Sequence, residues 1–68
     1  MTPLDLVSSC MSLKYPEIIS LFDHSRHLLF NGSSDKMMPK YQKLMYTKEV
    51  DYFEINTEYN HIEIFLRK

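Results

Sequence analysis

Regular alternation of apolar and polar residues marks the last part of the chain. Between His61 and Leu66 the aliphatic residues stand at every second position, which is typical of a strand that buries one face. The aliphatic residues are Ile62, Ile64 and Leu66. A run rich in branched and aromatic residues, Val50 to Ile55, precedes them, and the polar residues 56–60 in between predict a hairpin loop. The pattern therefore predicts two adjacent antiparallel strands.

The beginning of the chain predicts a helix. Pro3 suits the first position of a helix, Thr2 can cap it, and Asp5 stands where the acid of a capping box belongs. Apolar residues at helical spacing follow, and Pro16 disfavours α geometry at the residue before it. We therefore expect a helix over residues 3–13.

A second hairpin follows this helix. Residues 17–22 and 27–31 are short runs rich in apolar residues, and the polar residues 23–26 between them predict a turn. Gly32 is the only glycine, and its position at a strand end predicts a positive φ or a bulge. A polar loop over 33–38 completes this part of the chain.

A short helix is predicted between the two hairpins. Pro39 fits its first turn, and Lys40 to Tyr46 carry an apolar stripe at helical spacing. The stripe consists of Tyr41, Leu44 and Met45. The order of elements is thus α-β-β-α-β-β, and we expect an α+β fold with a four-stranded antiparallel sheet and both helices packed on one face. The 68 residues suffice for one domain, spanning 1–68.

Composition narrows the class of protein. Hydrophobic residues make up 44% and charged residues 25%, both typical of globular domains, which argues against disorder. No apolar run approaches the roughly 18 residues of a membrane span, and residues 1–12 lack the basic residues of a signal peptide. A single cysteine, Cys10, cannot form an internal disulfide and fits a reducing compartment. We expect a cytoplasmic protein with no membrane partner.

Residues able to support catalysis or metal binding are few. Cys10 lies on the stripe of the first helix without a nearby base, which favours a buried structural role. His24 and His27 have a His-x-x-His spacing, but no cysteine pair supports a zinc site, so they are interpreted as surface residues. One glycine builds neither a phosphate loop nor a nucleophile elbow around Ser8 or Ser9. We therefore predict no enzyme activity, no metal and no cofactor.

The second face of the sheet gives the strongest functional signal. If the aliphatic face of the last strand packs on the helices, aromatic and charged side chains point the other way, together with one apolar pair of the first strand. An apolar patch rimmed by charge is typical of a contact surface, and methionines add adaptable contact. The residues predicted to contact a partner are Leu29, Met37, Met38, Tyr52, Glu54, His61, Glu63 and Phe65. The alternative is that loops or a bent second helix cover this face.

Charge is unevenly distributed along the chain, although the net charge is −1. Lysines interleaved with tyrosine suit phosphate contact combined with base stacking. The residues that would contact nucleic acid are Lys36, Lys40, Tyr41, Lys43 and Lys48. The alternative, which we favour, is a solvated helix face whose tyrosines pack inward, beside acids that repel nucleic acid. Those acids are Asp51, Glu54, Glu58 and Glu63.

Four segments carry a resemblance to a known group of proteins. They are Leu21-Phe22-Asp23, Leu29-Phe30-Asn31-Gly32, a short segment containing Pro39, and Ile62-Glu63-Ile64. In this pattern the chain from Ile18 to Ile64 resembles a family of small uncharacterised proteins from phages, prophages and conjugative elements of Gram-positive bacteria. It departs from the pattern in carrying basic and aromatic residues around the first hairpin and Pro39. The resemblance implies a mobile-element accessory protein, a setting shared with anti-CRISPR inhibitors, and assigns no functional residue.

The sequence therefore predicts a small protein-binding module, an inhibitor or adaptor of a host protein such as a defence target. The acids of the last hairpin would then mimic phosphates toward a basic host protein. Two alternatives stay open. One is a nucleic-acid-binding protein that uses the segment 36–48, and the other is a structural protein that forms a homodimer through an open sheet face or a strand edge.

Overall fold

A computed structural model describes residues 1–10, 17–56 and 58–68, without the side chains of Cys10 and Ser34. The described residues form two α-helices and a four-stranded sheet, so the predicted α+β class is confirmed. The elements are α1 (Pro3–Cys10), β1 (Ile18–Phe22), β2 (Leu28–Gly32), α2 (Pro39–Thr47), β3 (Val50–Asn56) and β4 (His61–Leu66). A 3₁₀ turn, Ser34–Lys36, lies in the predicted polar loop.

The capping box at the start of α1 is confirmed. The backbone N–H of Asp5 donates to Thr2 Oγ1 at 3.2 Å, and the backbone N–H of Thr2 donates to Asp5 Oδ2 at 3.2 Å. These bonds satisfy two donors that the first turn leaves without helical partners. The backbone N–H of Thr2 also lowers the pKa of the Asp5 carboxyl. The predicted continuation of the helix over residues 11–13 and its end before Pro16 lie outside the described residues.

The sheet is mixed, so the prediction of a fully antiparallel sheet was wrong. Its strand order is β2-β1-β4-β3, and both hairpins pair antiparallel as expected. The two central strands, β1 and β4, run parallel, with Ile19 opposite Ile62 and Leu21 opposite Ile64.

Helix α2 explains this parallel pairing. It leads from β2 at one edge of the described sheet to β3 at the other edge, and the pairings give β2 and β3 the same direction. A helical connection between two strands of one sheet reverses the chain twice, so the strands it joins run parallel. Each hairpin then reverses the chain once more, which leaves β1 and β4 parallel in the centre.

The core lies between the sheet and the two helices. Four side chains of the central strands are fully buried: Ile19, Leu21, Ile62 and Ile64. Leu6 and Val7 of α1 and Met45 of α2 complete the cluster with Leu66 and Met37. The predicted inward face of β4 is confirmed, as is the apolar stripe of α2, because Tyr41 and Leu44 pack against the same cluster.

Both edge strands of the described sheet carry a bulge. In β2 the partner of Leu21 is Phe30 and the partner of Phe22 is Leu28, so Leu29 is an extra residue. In β3 the ladder passes from Val50 to Tyr52 and leaves out Asp51. Gly32 has the predicted positive φ, at 159°, but no bulge.

Candidate functional site

The face of the sheet opposite the helices, called here the outer face, carries a row of apolar side chains that crosses all four strands. The register places Phe22 of β1 beside Phe65 of β4, Phe65 beside Tyr52 of β3, and Phe22 beside Leu28 of β2. These four residues, three of them aromatic and the fourth Leu28, are called the aromatic row. The sequence predicted that one of two apolar pairs of β1 faces outward, either Ile18 with Phe22 or Ile19 with Leu21. In the structure Ile18 and Phe22 point outward, because Ile19 and Leu21 are buried beneath the helices.

Contacts between rings hold the aromatic row together. The rings of Phe22 and Phe65 stack, with centroids 4.6 Å apart and planes 14° apart. The Tyr52 ring lies tilted against Phe65 at 5.6 Å. Both separations are in the range in which aromatic pairs attract. The ends of the row stay open, since Leu28 is 54% exposed and Tyr52 is 45% exposed.

The β1–β2 turn places a cation over the centre of this row. One oxygen of Asp23 accepts hydrogen bonds from the backbone N–H of Ser25 at 2.9 Å and of His27 at 2.8 Å. The bond from His27 is the main reason why the pKa of the Asp23 carboxyl lies below its ordinary value. Within this turn Arg26 has a φ of 67°, and its guanidinium lies 5.0 Å from the centre of the Phe65 ring. Arg26 thereby forms a cation–π contact at the surface.

A polar group lies beside the aromatic row on the outer face. The hydroxyl of Ser20 is 2.7 Å from His61 Nε2 and donates to Asn31 Oδ1 at 3.2 Å. Ser20 is only 3% exposed, and its hydroxyl links β1 to His61 of β4 and to Asn31 of β2. The hydrogen bonding of Ser20 was not predicted, although a serine between four apolar neighbours of β1 is a signal for a buried hydrogen bond.

Two carboxylates lie opposite each other beside this polar group. The register pairs Glu54 of β3 with Glu63 of β4, and together with Asn56 and His61 they line a shallow depression. The Tyr52 hydroxyl donates to Glu54 at 2.6 Å, and this bond raises the pKa of Tyr52. No lysine or arginine among the described residues forms an ion pair with either glutamate. Like charges directly opposite each other destabilise a strand pair, so a cation from elsewhere would relieve this repulsion.

The structure brings together five of the residues predicted to contact a partner. Tyr52, Glu54, His61, Glu63 and Phe65 all lie on the outer face, as their register requires. Whether they bind a partner stays a prediction.

Three other residues of that prediction lie elsewhere. Leu29 was expected on the outer face, but the bulge turns it toward the core, and Leu28 takes the outward position. Met37 was expected in an exposed loop, but it is 5% exposed and belongs to the core. Met38 is 55% exposed, at the start of α2 and therefore away from the outer face.

The lysines predicted to contact nucleic acid are all exposed. Lys36, Lys40, Lys43 and Lys48 lie along α2 and its flanks, on the helix side of the sheet. Tyr41 packs partly buried against the Phe30 ring at 6.0 Å, and the Lys40 ammonium lies 4.9 Å from the Tyr41 ring centre. This arrangement favours the inward-packing alternative for Tyr41, because its ring already has partners on the protein.

The histidines in the described part of the chain do not assemble a metal-binding group. His27 Nδ1 lies 3.4 Å from Asp23 Oδ2, on an exposed side chain. Within residues 1–10, 17–56 and 58–68 there is no group of three or more His, Cys, Asp or Glu arranged around a common point. The predicted burial of Cys10 concerns a side chain outside the described residues. No helix in the described part of the chain has the length and apolar character needed to cross a membrane.

On the outer face the described residues thus form an assembled surface, made of the aromatic row under a guanidinium and, beside it, a pair of carboxylates that form no ion pair with a described lysine or arginine. Comparison of the chain with protein-family models, with curated proteins and with solved structures gives no match.

Proposed function

We propose that this chain is a protein-binding module whose partner packs on the outer face of the sheet. The observation that carries the proposal is the aromatic row, which crosses all four strands on the side away from the helices. In a sheet covered on one side only, the other side is expected to be polar. Aromatic and arginine side chains together on an exposed surface are instead the composition of an interface centre.

The charges on the outer face define the chemistry of the partner. Glu54 and Glu63 face each other, and neither forms an ion pair with a lysine or arginine among the described residues; they lie next to Tyr52 and Phe65 of the row. A lysine or arginine from a partner would neutralise this pair while its aliphatic part lies over the aromatic rings. The partner is therefore a protein that presents basic side chains within an apolar surface.

The biological role belongs to the same proposal. The resemblance to mobile-element proteins supports a host protein as the partner, and an inhibitor or adaptor as the role. The structure supports this role through the apolar outer face and the paired glutamates beside it.

Two exposed positions test this surface without disturbing the core. Leu28→Ser and Tyr52→Ser remove the two open ends of the aromatic row, and Tyr46→Ser is a matched control, because Tyr46 is 60% exposed on α2. Each tagged protein is incubated with the nuclease-treated and the untreated half of a lysate of a Gram-positive host, and the protein captured from the treated half is then purified and titrated. We expect the wild type and Tyr46→Ser to bind it equally and the double variant to bind about a hundredfold more weakly, because it removes two exposed apolar contacts of the interface.

Equal binding by the double variant and the wild type would exclude the outer face. Capture that disappears on nuclease treatment would instead favour the nucleic-acid alternative, with contacts on the exposed lysines of α2.

A further inference from the structure

A second depression, on the helix side of the sheet, has an apolar floor. Leu29, Leu44 and Leu66 line it, and they come from the bulge of β2, from α2 and from the end of β4. It is formed because the bulge turns Leu29 toward the helices, where Leu29 and Leu44 pack beside the buried Leu66. Its volume is about 210 Å³. This depression is called the basic groove, for the rim described next.

Three cationic side chains surround the floor: Lys48, Arg67 and Lys68. Backbone hydrogen bonds fix the first two, since the N–H of Lys48 donates to Leu44 O at 3.2 Å and the N–H of Arg67 donates to Glu49 O at 2.8 Å. None of the three forms an ion pair with another described residue.

The other charged or titratable residues near the groove are His24, Asp23 and Glu49. Asp23 and His24 also line the groove, and His24 is exposed, whereas Glu49 lies outside the lining. The Asp23 carboxylate is occupied by the backbone N–H groups of Ser25 and His27, and the Glu49 carboxylate accepts from the amino group of Met1. Asp23 keeps its negative charge, but it is outnumbered by the three cations among the described residues that line the groove, so the rim has a net positive charge.

We propose that the basic groove binds an acidic segment of another protein, which inserts one apolar side chain between Leu29, Leu44 and Leu66. The volume is below the roughly 300 Å³ at which pockets for small molecules begin, so it suits a single side chain. Rim cations with no partner of their own select carboxylates next to that side chain. The proposal goes beyond the function proposed above, since the outer face is acidic and lies on the opposite side of the sheet.

The test uses the whole chain, labelled with ¹⁵N, and three acetylated peptides of about ten residues. The first peptide has a central phenylalanine flanked by aspartates and glutamates, the second has serine in place of phenylalanine, and the third has asparagine and glutamine in place of the acids. Amide shifts are followed during titration of wild type, of Lys48→Glu/Arg67→Glu, and of Lys36→Glu/Lys43→Glu as a charge-matched control. All four lysine and arginine positions are exposed, so the fold should tolerate these changes.

We expect the first peptide to shift the amides of Leu29, Leu44 and Leu66 in a saturable way and the other two peptides to shift them weakly. Lys48→Glu/Arg67→Glu should weaken binding about tenfold, from the loss of two partly exposed charge contacts, and the control variant should bind as wild type.

Four results would overturn the proposal. They are an absence of shifts in the groove at millimolar peptide, equal binding of the peptide without acids, shifts confined to the outer face, and a larger response of the same amides to a single-stranded oligonucleotide. The last result would assign the groove to nucleic acid. Loss of partner binding in the Leu28 and Tyr52 variants is measured separately, so either proposal can fail alone.

Discussion

Phe65 occupies the centre of the aromatic row, and replacing it with alanine tests whether the row stabilises the fold as well as offering a surface. The ring stacks on Phe22 at 4.6 Å, contacts Tyr52 at 5.6 Å and lies under the Arg26 guanidinium at 5.0 Å. Each aromatic pair contributes about 0.5–1.5 kcal/mol and the exposed cation–π contact about 0.5–1 kcal/mol. Since the half-buried ring also loses roughly half of its hydrophobic transfer energy, we expect Phe65→Ala to lower the free energy of unfolding by about 3 to 4 kcal/mol.

Urea unfolding followed by far-ultraviolet circular dichroism measures this loss, since the chain has no tryptophan for fluorescence. A double-mutant cycle with Phe22→Ala isolates the stacked pair, for which we expect a coupling of about 1 kcal/mol. If Phe65→Ala is too unstable to measure, Phe65→Leu keeps part of the apolar contact and removes the ring. A loss below about 0.5 kcal/mol, or additive effects of the two substitutions, would show that the rings contribute little and refute this reasoning.

Two further predictions concern the ends of secondary structure elements. Thr2→Ala removes the side-chain acceptor of the α1 capping box and should lower the free energy of unfolding by about 1 kcal/mol. Ser8→Ala, on the exposed side of the same helix, is the control and should change the free energy of unfolding by less than about 0.5 kcal/mol. Equal effects of the two substitutions would contradict a capping role. The pKa of the Asp23 carboxyl is lowered in the folded state by the hydrogen bond from the backbone N–H of His27. Ionised Asp23 therefore stabilises the fold at a pH above its ordinary pKa of 3.8, and this stabilisation is lost as the pH falls through the lower pKa of the folded state. In acid unfolding curves Asp23→Asn should therefore show a weaker decline of stability below that pH than wild type or the charge-matched Asp51→Asn, and superimposable curves would disprove the assignment.

Local patterns in the sequence were sufficient to predict most of the individual elements. The bounds of β4 agree with its alternation, and the capping box of α1 forms with the predicted partners. Both signals are short-range, because they depend on residues within one strand or one turn. The same holds for Pro39, which begins α2 as expected.

The direction of the central strands was not predictable from those patterns. Alternation assigns the faces of β1 and β4 equally well whether they run parallel or antiparallel. The parallel arrangement follows from the path of α2 across the sheet, which is a property of the whole chain. Two antiparallel hairpins therefore do not by themselves imply a fully antiparallel sheet.

The candidate site was predictable where the strands alternate regularly and unpredictable where a bulge interrupts the alternation. The faces of β3 and β4 follow from alternation, so the outward position of Tyr52, Glu54 and Phe65 could be predicted. The bulge in β2 shifts the alternation by one residue, and Leu28 and Leu29 exchange their expected sides. A run of three apolar residues contains no polar marker that would reveal such a shift.

The parallel pairing of β1 with β4 also governs how this chain reaches its fold. Each hairpin joins neighbours in sequence and can form early, whereas the ladder from Ile18–His61 to Phe22–Phe65 joins segments separated by β2, α2 and β3. Closing such a long loop is slow, so docking of the two hairpins is expected to limit the folding rate. During synthesis β1 leaves the ribosome well before β4, and its buried residues Ile19 and Leu21 have no central neighbour until then. The chain is therefore most exposed to aggregation or proteolysis in the interval between completion of the first hairpin and arrival of the second.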